Sequence, residues 1–157
     1  MLFTVLLGWA TIGPANHGAF DPVVKRWLAS HPLYRQLEDK DCHCEEELLA
    51  VRTQSRGAWR ANPDYHPYVM RGDFNGDGRA DEAVVVEDQA KTRQRRVLIL
   101  TARPDKPPRP YLSPPLSGTA ALFFGEPRPK PHRLLVGEFE AEGQAFMPST
   151  IGSYRLR

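Results

Sequence analysis

Residues 71–86 read RGDFNGDGRADEAVVV, and two patterns meet in that stretch. Its first part places oxygen-bearing side chains at every second position: Asp73, Asn75 and Asp77. Asp81 follows four residues later, and Gly78 comes directly after the third of these. Its last part, Ala83 to Val86, is an apolar, β-branched run of the kind that enters a buried strand. A turn rich in carboxylates thus leads straight into a sheet. Alternate residues of a curling loop can aim their side chains at one centre. Calcium takes six to eight such oxygens, at about 2.3–2.6 Å. Asp73, Asn75, Asp77 and Asp81 would supply side-chain oxygens and Arg79 its backbone carbonyl. Gly78 would permit the sharp return of the chain. Magnesium fits less well, because it demands a near-octahedral and largely hydrated site. The plainer alternative is a metal-free turn, since Asn-Gly and Asp-Gly are strong turn formers.

The loop is not an EF-hand. The twelfth position counted from Asp73 is Val84, where an EF-hand carries a bidentate glutamate, and the segment beyond it has the pattern of a strand. The stretch GDFNGDGRADEAVVV instead resembles the calcium loop of FG-GAP and VCBS-type repeats, a DxDxDGxxD pattern followed by an apolar strand. The resemblance implies calcium at a strand–loop–strand hairpin, with Asp73, Asn75, Asp77 and Asp81 at ligand positions and Asn in place of Asp at the second. It covers about fifteen to twenty residues and one copy, so it implies the loop and not the multi-bladed propeller those repeats build. The single copy also resembles small exported bacterial proteins that carry one GDFNGDG loop. An Arg-Gly-Asp tripeptide (71–73) overlaps the loop. Asp73 cannot readily serve both a metal and an external receptor, so we read the tripeptide as coincidental.

Outward from this stretch, the chain divides into a helical part and a strand part. Pro22 suits a first helical turn, with Asp21 as its cap, and Val23, Val24, Trp27 and Leu28 recur at helical spacing. Pro32 ends that helix. Leu33, Tyr34 and Leu37 predict a second short one. A further helix is expected from about Cys44 to Arg52, with Asp41 as a cap and Glu45, Glu46 and Glu47 near its positive end. After Tyr65, strands are expected at 68–70, 83–86, 96–101, 122–124, 134–139, 144–147 and 153–156. Arg96 to Thr101 reads RVLILT, a strand apolar on both faces. The proline clusters at 104–115 and 127–131 read as extended, solvated connections. The expectation is therefore an α+β fold, with short N-terminal helices packed on a mostly antiparallel β-sheet.

The 157 residues suffice for one domain, here placed at 16–157. With 21 Lys+Arg against 19 Asp+Glu, the charge balance argues against a protein built to neutralise nucleic-acid phosphates. Fifteen prolines and twelve glycines disfavour a bundle of long helices. Residues 1–15 read as a signal peptide: LFTVLLGWATI (2–12) is too short for a membrane span and is followed by small residues. No basic residue precedes that core, so the signal is either truncated or absent, and a buried first strand or helix is the alternative. Export implies a periplasmic or secreted protein with a protein or cell-envelope partner and no stable membrane span.

Cys42-His43-Cys44 is the other unusual stretch. It admits a disulfide or inert buried thiols, a zinc or copper site completed by His31, His66 or His132, or a thiol nucleophile. Structural zinc sites space their cysteines two to four residues apart rather than one. Nucleophile elbows, phosphate loops, HExxH and dinucleotide fingerprints are all absent from the sequence. The chain therefore reads as an exported, calcium-binding, non-catalytic interaction or structural module. The alternative is a small exported hydrolase or thiol enzyme that uses Cys42 or Cys44 with a histidine such as His66.

Overall fold

The computed structural model describes residues 22–55, 60–91, 93–116, 120–125, 132–139, 143–150 and 153–157. Among them are two helices and two antiparallel sheets, an α+β architecture. The apolar segment 2–12, Asp21 and the prolines at 127–131 lie outside the described residues.

The first sheet is built on a hairpin of β3 (Asp81–Asp88) and β4 (Gln94–Thr101), in register from Glu82↔Leu100 to Asp88↔Gln94. The other edge of β3 is shared end to end. β2 (Val69–Gly72) pairs with its first half and β1 (Tyr34–Gln36) with its last three residues. β5 (Arg109–Leu112) closes the far side of β4. The second sheet is a meander of β6 (Ala121–Gly125), β7 (Arg133–Gly137), β8 (Gln144–Thr150) and β9 (Ser153–Leu156).

Side-chain alternation explains the layering. Ala83, Val85, Val97 and Ile99 join a core with Leu122, Leu134, Val136, Phe146 and Tyr154 of the second sheet. Val84, Val86, Leu98 and Leu100 turn to the opposite face and meet Val24, Trp27 and Leu28 of α1 (Pro22–Ser30). The β3–β4 hairpin is thus apolar on both faces because both are covered, as RVLILT implies. Each such side chain taken from water stabilises the fold by about 1.5–3 kcal/mol. Leu48 of α2 (Glu45–Thr53) packs into the first core.

The structure departs from the sequence expectations in four places. The segment after Pro32 forms β1 and not a second helix. Leu33, Tyr34 and Leu37 have helical spacing, but three residues of pairing with β3 and the burial of Gln36 and Leu37 override it. The sequence predicts one sheet, and two form. Part of the first proline-rich segment is strand β5, with Pro110 at the edge position that tolerates a missing N–H. Asp41 does not cap α2. Cys44 holds that position, and Asp41 closes a 3₁₀ turn (Asp39–Asp41), where it accepts the Glu38 N–H at 2.8 Å.

Candidate metal centre

Residues 73–80 connect β2 to β3, and the pairing of Gly72 with Asp81 closes the neck of the loop. Its curl is drawn by its own acceptors. The Asp73 carboxylate accepts the N–H groups of Gly76 (2.7 Å) and Asp77 (3.0 Å) on Oδ1 and of Gly78 (2.8 Å) on Oδ2. Asn75 Oδ1 accepts the Asp77 N–H at 2.9 Å, and Asp77 Oδ1 accepts the Arg79 N–H at 2.8 Å. Asn75 and Asp77 thus each fold back on the backbone two residues ahead, and Asp73 on the three residues from Gly76 to Gly78. Gly76 and Gly78 take φ of 81° and 85°, the left-handed region. A Cβ at Gly78 would meet nothing within 4 Å, so the glycine answers to backbone angle rather than to space.

Asp73 is 2% exposed, whereas Asn75 is partly buried and Asp77 and Arg79 face solvent. These four share one curl. Asp81 is set apart from them: it is fully buried at the base of the loop and divides its oxygens between two elements. Oδ2 accepts the Phe74 N–H at 3.1 Å and Oδ1 accepts the Ala102 N–H, beyond the end of β4, at 2.9 Å. The Tyr154 hydroxyl on β9 lies 3.5 Å from Oδ2 and 3.2 Å from the Thr101 hydroxyl. Burial pushes the Asp81 carboxyl above the usual carboxylate range. The two N–H donors oppose that shift, and the charges of Asp77 and Asp73 add to it.

The residue that precedes β7 also braces the loop. His132 donates its backbone N–H to the Asp73 carbonyl at 2.7 Å, and the Asp73 N–H is donated to His132 Nδ1 at 3.1 Å. Phe74, 1% exposed, anchors the loop in the first core. The sequence does not point to His132, Ala102 or Tyr154 for this role. They lie 21 to 73 residues from their partners, and no local spacing signals them.

Every expected ligand is an oxygen donor, the chemistry a hard cation needs. Among the described residues, no three His, Cys, Asp or Glu side chains form a metal-holding group. Asp73, Asn75 and Asp77 lie along one curl, and Asp81 stands beneath it. Asp73, buried and committed to three N–H groups, does not present the Arg-Gly-Asp tripeptide to a receptor.

Cys42 and Cys44 are joined in a disulfide, with Cα atoms 5.1 Å apart, and both are buried. His43 between them has φ 52°. In this oxidised form neither sulfur is a thiolate. His66 Nδ1 lies 2.9 Å from Asp39 Oδ1, and Asp39 also pairs with Arg52. A cleft of about 680 Å³ opens beside the 73–80 loop, lined by Asn75, Asp77, Arg79, Arg103, Lys106 and Pro148 among others. Neither cysteine nor His66 borders it.

Compared with known proteins, the chain matches no family model, no curated protein and no solved structure. No helix of the described residues is long and apolar enough to cross a membrane.

Proposed function

We propose that this chain is an exported, calcium-binding, non-catalytic module in which a calcium ion at residues 73–81 locks the β2–β3 hairpin. One observation carries the reading: Asp73, Asn75 and Asp77 alternate along a single curl that closes at a left-handed Gly78. Asp73, Asn75, Asp77 and Asp81 would hold the ion with side-chain oxygens and Arg79 with its carbonyl. The ion supplies charge compensation for three carboxylates that repel one another when it is absent. Asp81 fixes the base of the loop, and Asp73 organises its N–H groups. The surface formed by the loop is then stiff enough to present to a protein or cell-envelope partner. The buried disulfide supports a periplasmic or secreted location, since such bonds persist in oxidising compartments.

Calorimetric titration with calcium tests the proposal, together with thermal melts of the wild type and of the Asp73→Ala/Asp77→Ala variant. Calcium at one hundred times its dissociation constant stabilises by about 2.7 kcal/mol. For a chain of this size that is a rise in Tm of roughly 5–11 °C, absent in the variant. A wild type with neither heat nor a melting shift at millimolar calcium refutes the reading.

A further inference from the structure

We propose that the cleft beside the metal loop is a binding site for a small multivalent oxyanion, such as a phosphate- or carboxylate-bearing molecule. Arg79, Arg103 and Lys106 line it against one carboxylate, Asp77, a surplus of two positive charges. The whole chain carries a formal charge of +2, so this one recess concentrates as much positive charge as the entire molecule. Its volume of about 680 Å³ falls within the range of roughly 300–1,000 Å³ typical of small-ligand sites. Ala102, Pro104 and Pro148 supply apolar wall.

The backbone around the cleft is irregular on three sides. Gly76 and Gly78 are left-handed in the metal loop. Asp105, at the turn that carries Arg103 and Lys106, has φ 52°. The β8–β9 pairing shifts register between Pro148 and Thr150, at the third wall. Bulges and left-handed residues are tolerated where they aim side chains at a site. The Nε–H of Arg103 donates to the Pro107 carbonyl at 2.8 Å, which fixes the plane of its guanidinium. A guanidinium held in plane matches the paired oxygens of a phosphate or carboxylate. Asp77 lies 3.9 Å from Arg79 and is the acidic group that opposes an anion there; Asp105 stands on the same turn as Lys106 and is exposed.

The proposal does not rest on the metal-loop reading, because the three cations stand whether or not the loop is loaded. Its test is titration of the full chain with pyrophosphate, and separately with tricarballylate, in metal-free low-salt buffer, followed by calorimetry and amide chemical shifts. Saturable binding of either, with shifts centred on residues 79, 103 and 106, is the expected result; the two arms tell a phosphate from a carboxylate source. Arg103→Gln/Lys106→Gln should weaken it by about tenfold or more, and Arg79→Gln alone in the same direction. Lys91→Gln, on an exposed turn elsewhere, should leave it unchanged. Melting curves check that the variants fold. Binding of neither anion, or equal binding by wild type and the double variant, overturns the proposal. Loss of anion binding with calcium heat retained leaves the metal reading standing, and the reverse result removes only that reading.

Discussion

Asp81, the first residue of β3, accepts the backbone N–H of Ala102 at 2.9 Å, just beyond the end of β4, while its other oxygen holds the Phe74 N–H of the loop. One buried carboxylate therefore ties the base of the loop to both strands of the central hairpin.

Replacing that carboxylate by an amide removes one of two acceptors. Asp81→Asn turns an NH₂ toward a backbone N–H and leaves that donor without a partner. A buried unsatisfied group costs about 1–3 kcal/mol, and denaturant unfolding in calcium-free buffer should show a loss of that size. An unchanged midpoint would mean that the two N–H bonds do not support the hairpin.

Gly78→Ala tests the loop geometry without a packing effect, because nothing lies within 4 Å of the added Cβ. At φ 85° an L side chain costs about 1–2 kcal/mol. Gly78→Asn should cost less, since asparagine tolerates the left-handed region better than other side chains. Thermal melts of both variants give the order. Equal melting temperatures for the two would remove backbone angle as the reason for glycine here.

Asp41 sets an acid limb of stability. Burial raises its carboxyl pKa, but the hydrogen bond from Arg35, the Glu38 N–H and the charges of Arg35 and Lys40 together carry it below its ordinary 3.8. A carboxylate depressed in the folded state contributes stability above its unfolded value and loses it as pH falls through the folded value. The stability difference between wild type and Asp41→Asn should therefore be constant near neutrality and shrink below about pH 4. Urea titrations at stepped pH check this. Asp81 works in the opposite sense in the calcium-free protein, because its raised pKa penalises the folded state as pH rises. A difference that grows on acidification would contradict the Asp41–Arg35 assignment.

Tyr65 donates its hydroxyl to the Leu122 carbonyl of β6 at 2.8 Å, a buried link from the first sheet's approach segment to the second sheet. Burial pushes its phenol well above the ordinary tyrosine range. Tyr65→Phe keeps the ring and strands the carbonyl, which should cost about 1–3 kcal/mol. Urea unfolding reads the loss directly. A variant as stable as wild type would show that Leu122 finds another donor.

What the sequence discloses here is what is local. The central hairpin follows from alternation in Ala83–Val86 and Arg96–Thr101, and the curl at 73–78 from acceptors two residues apart, so both can be read in one dimension. β1 cannot, because Leu33, Tyr34 and Leu37 suit a helix as well as a strand until β3 offers an edge. β5 is hidden by its prolines, which deny an interior strand but not an edge one. The candidate site divides the same way. Asp73, Asn75 and Asp77 are evident from spacing, whereas the turning of Asp81 toward Ala102 and Tyr154, and the bracing by His132, depend on residues brought near only by the fold.

The bridge between Cys42 and Cys44 spans a single intervening residue. A covalent ring so small removes little freedom from an unfolded chain, on the order of 1–2 kcal/mol by loop entropy against about 3 for a fifteen-residue ring. It fastens the left-handed His43 corner at the head of α2 and leaves the distant strands to hold one another. A chain that meets reductant would therefore loosen at that corner while its sheets stay joined.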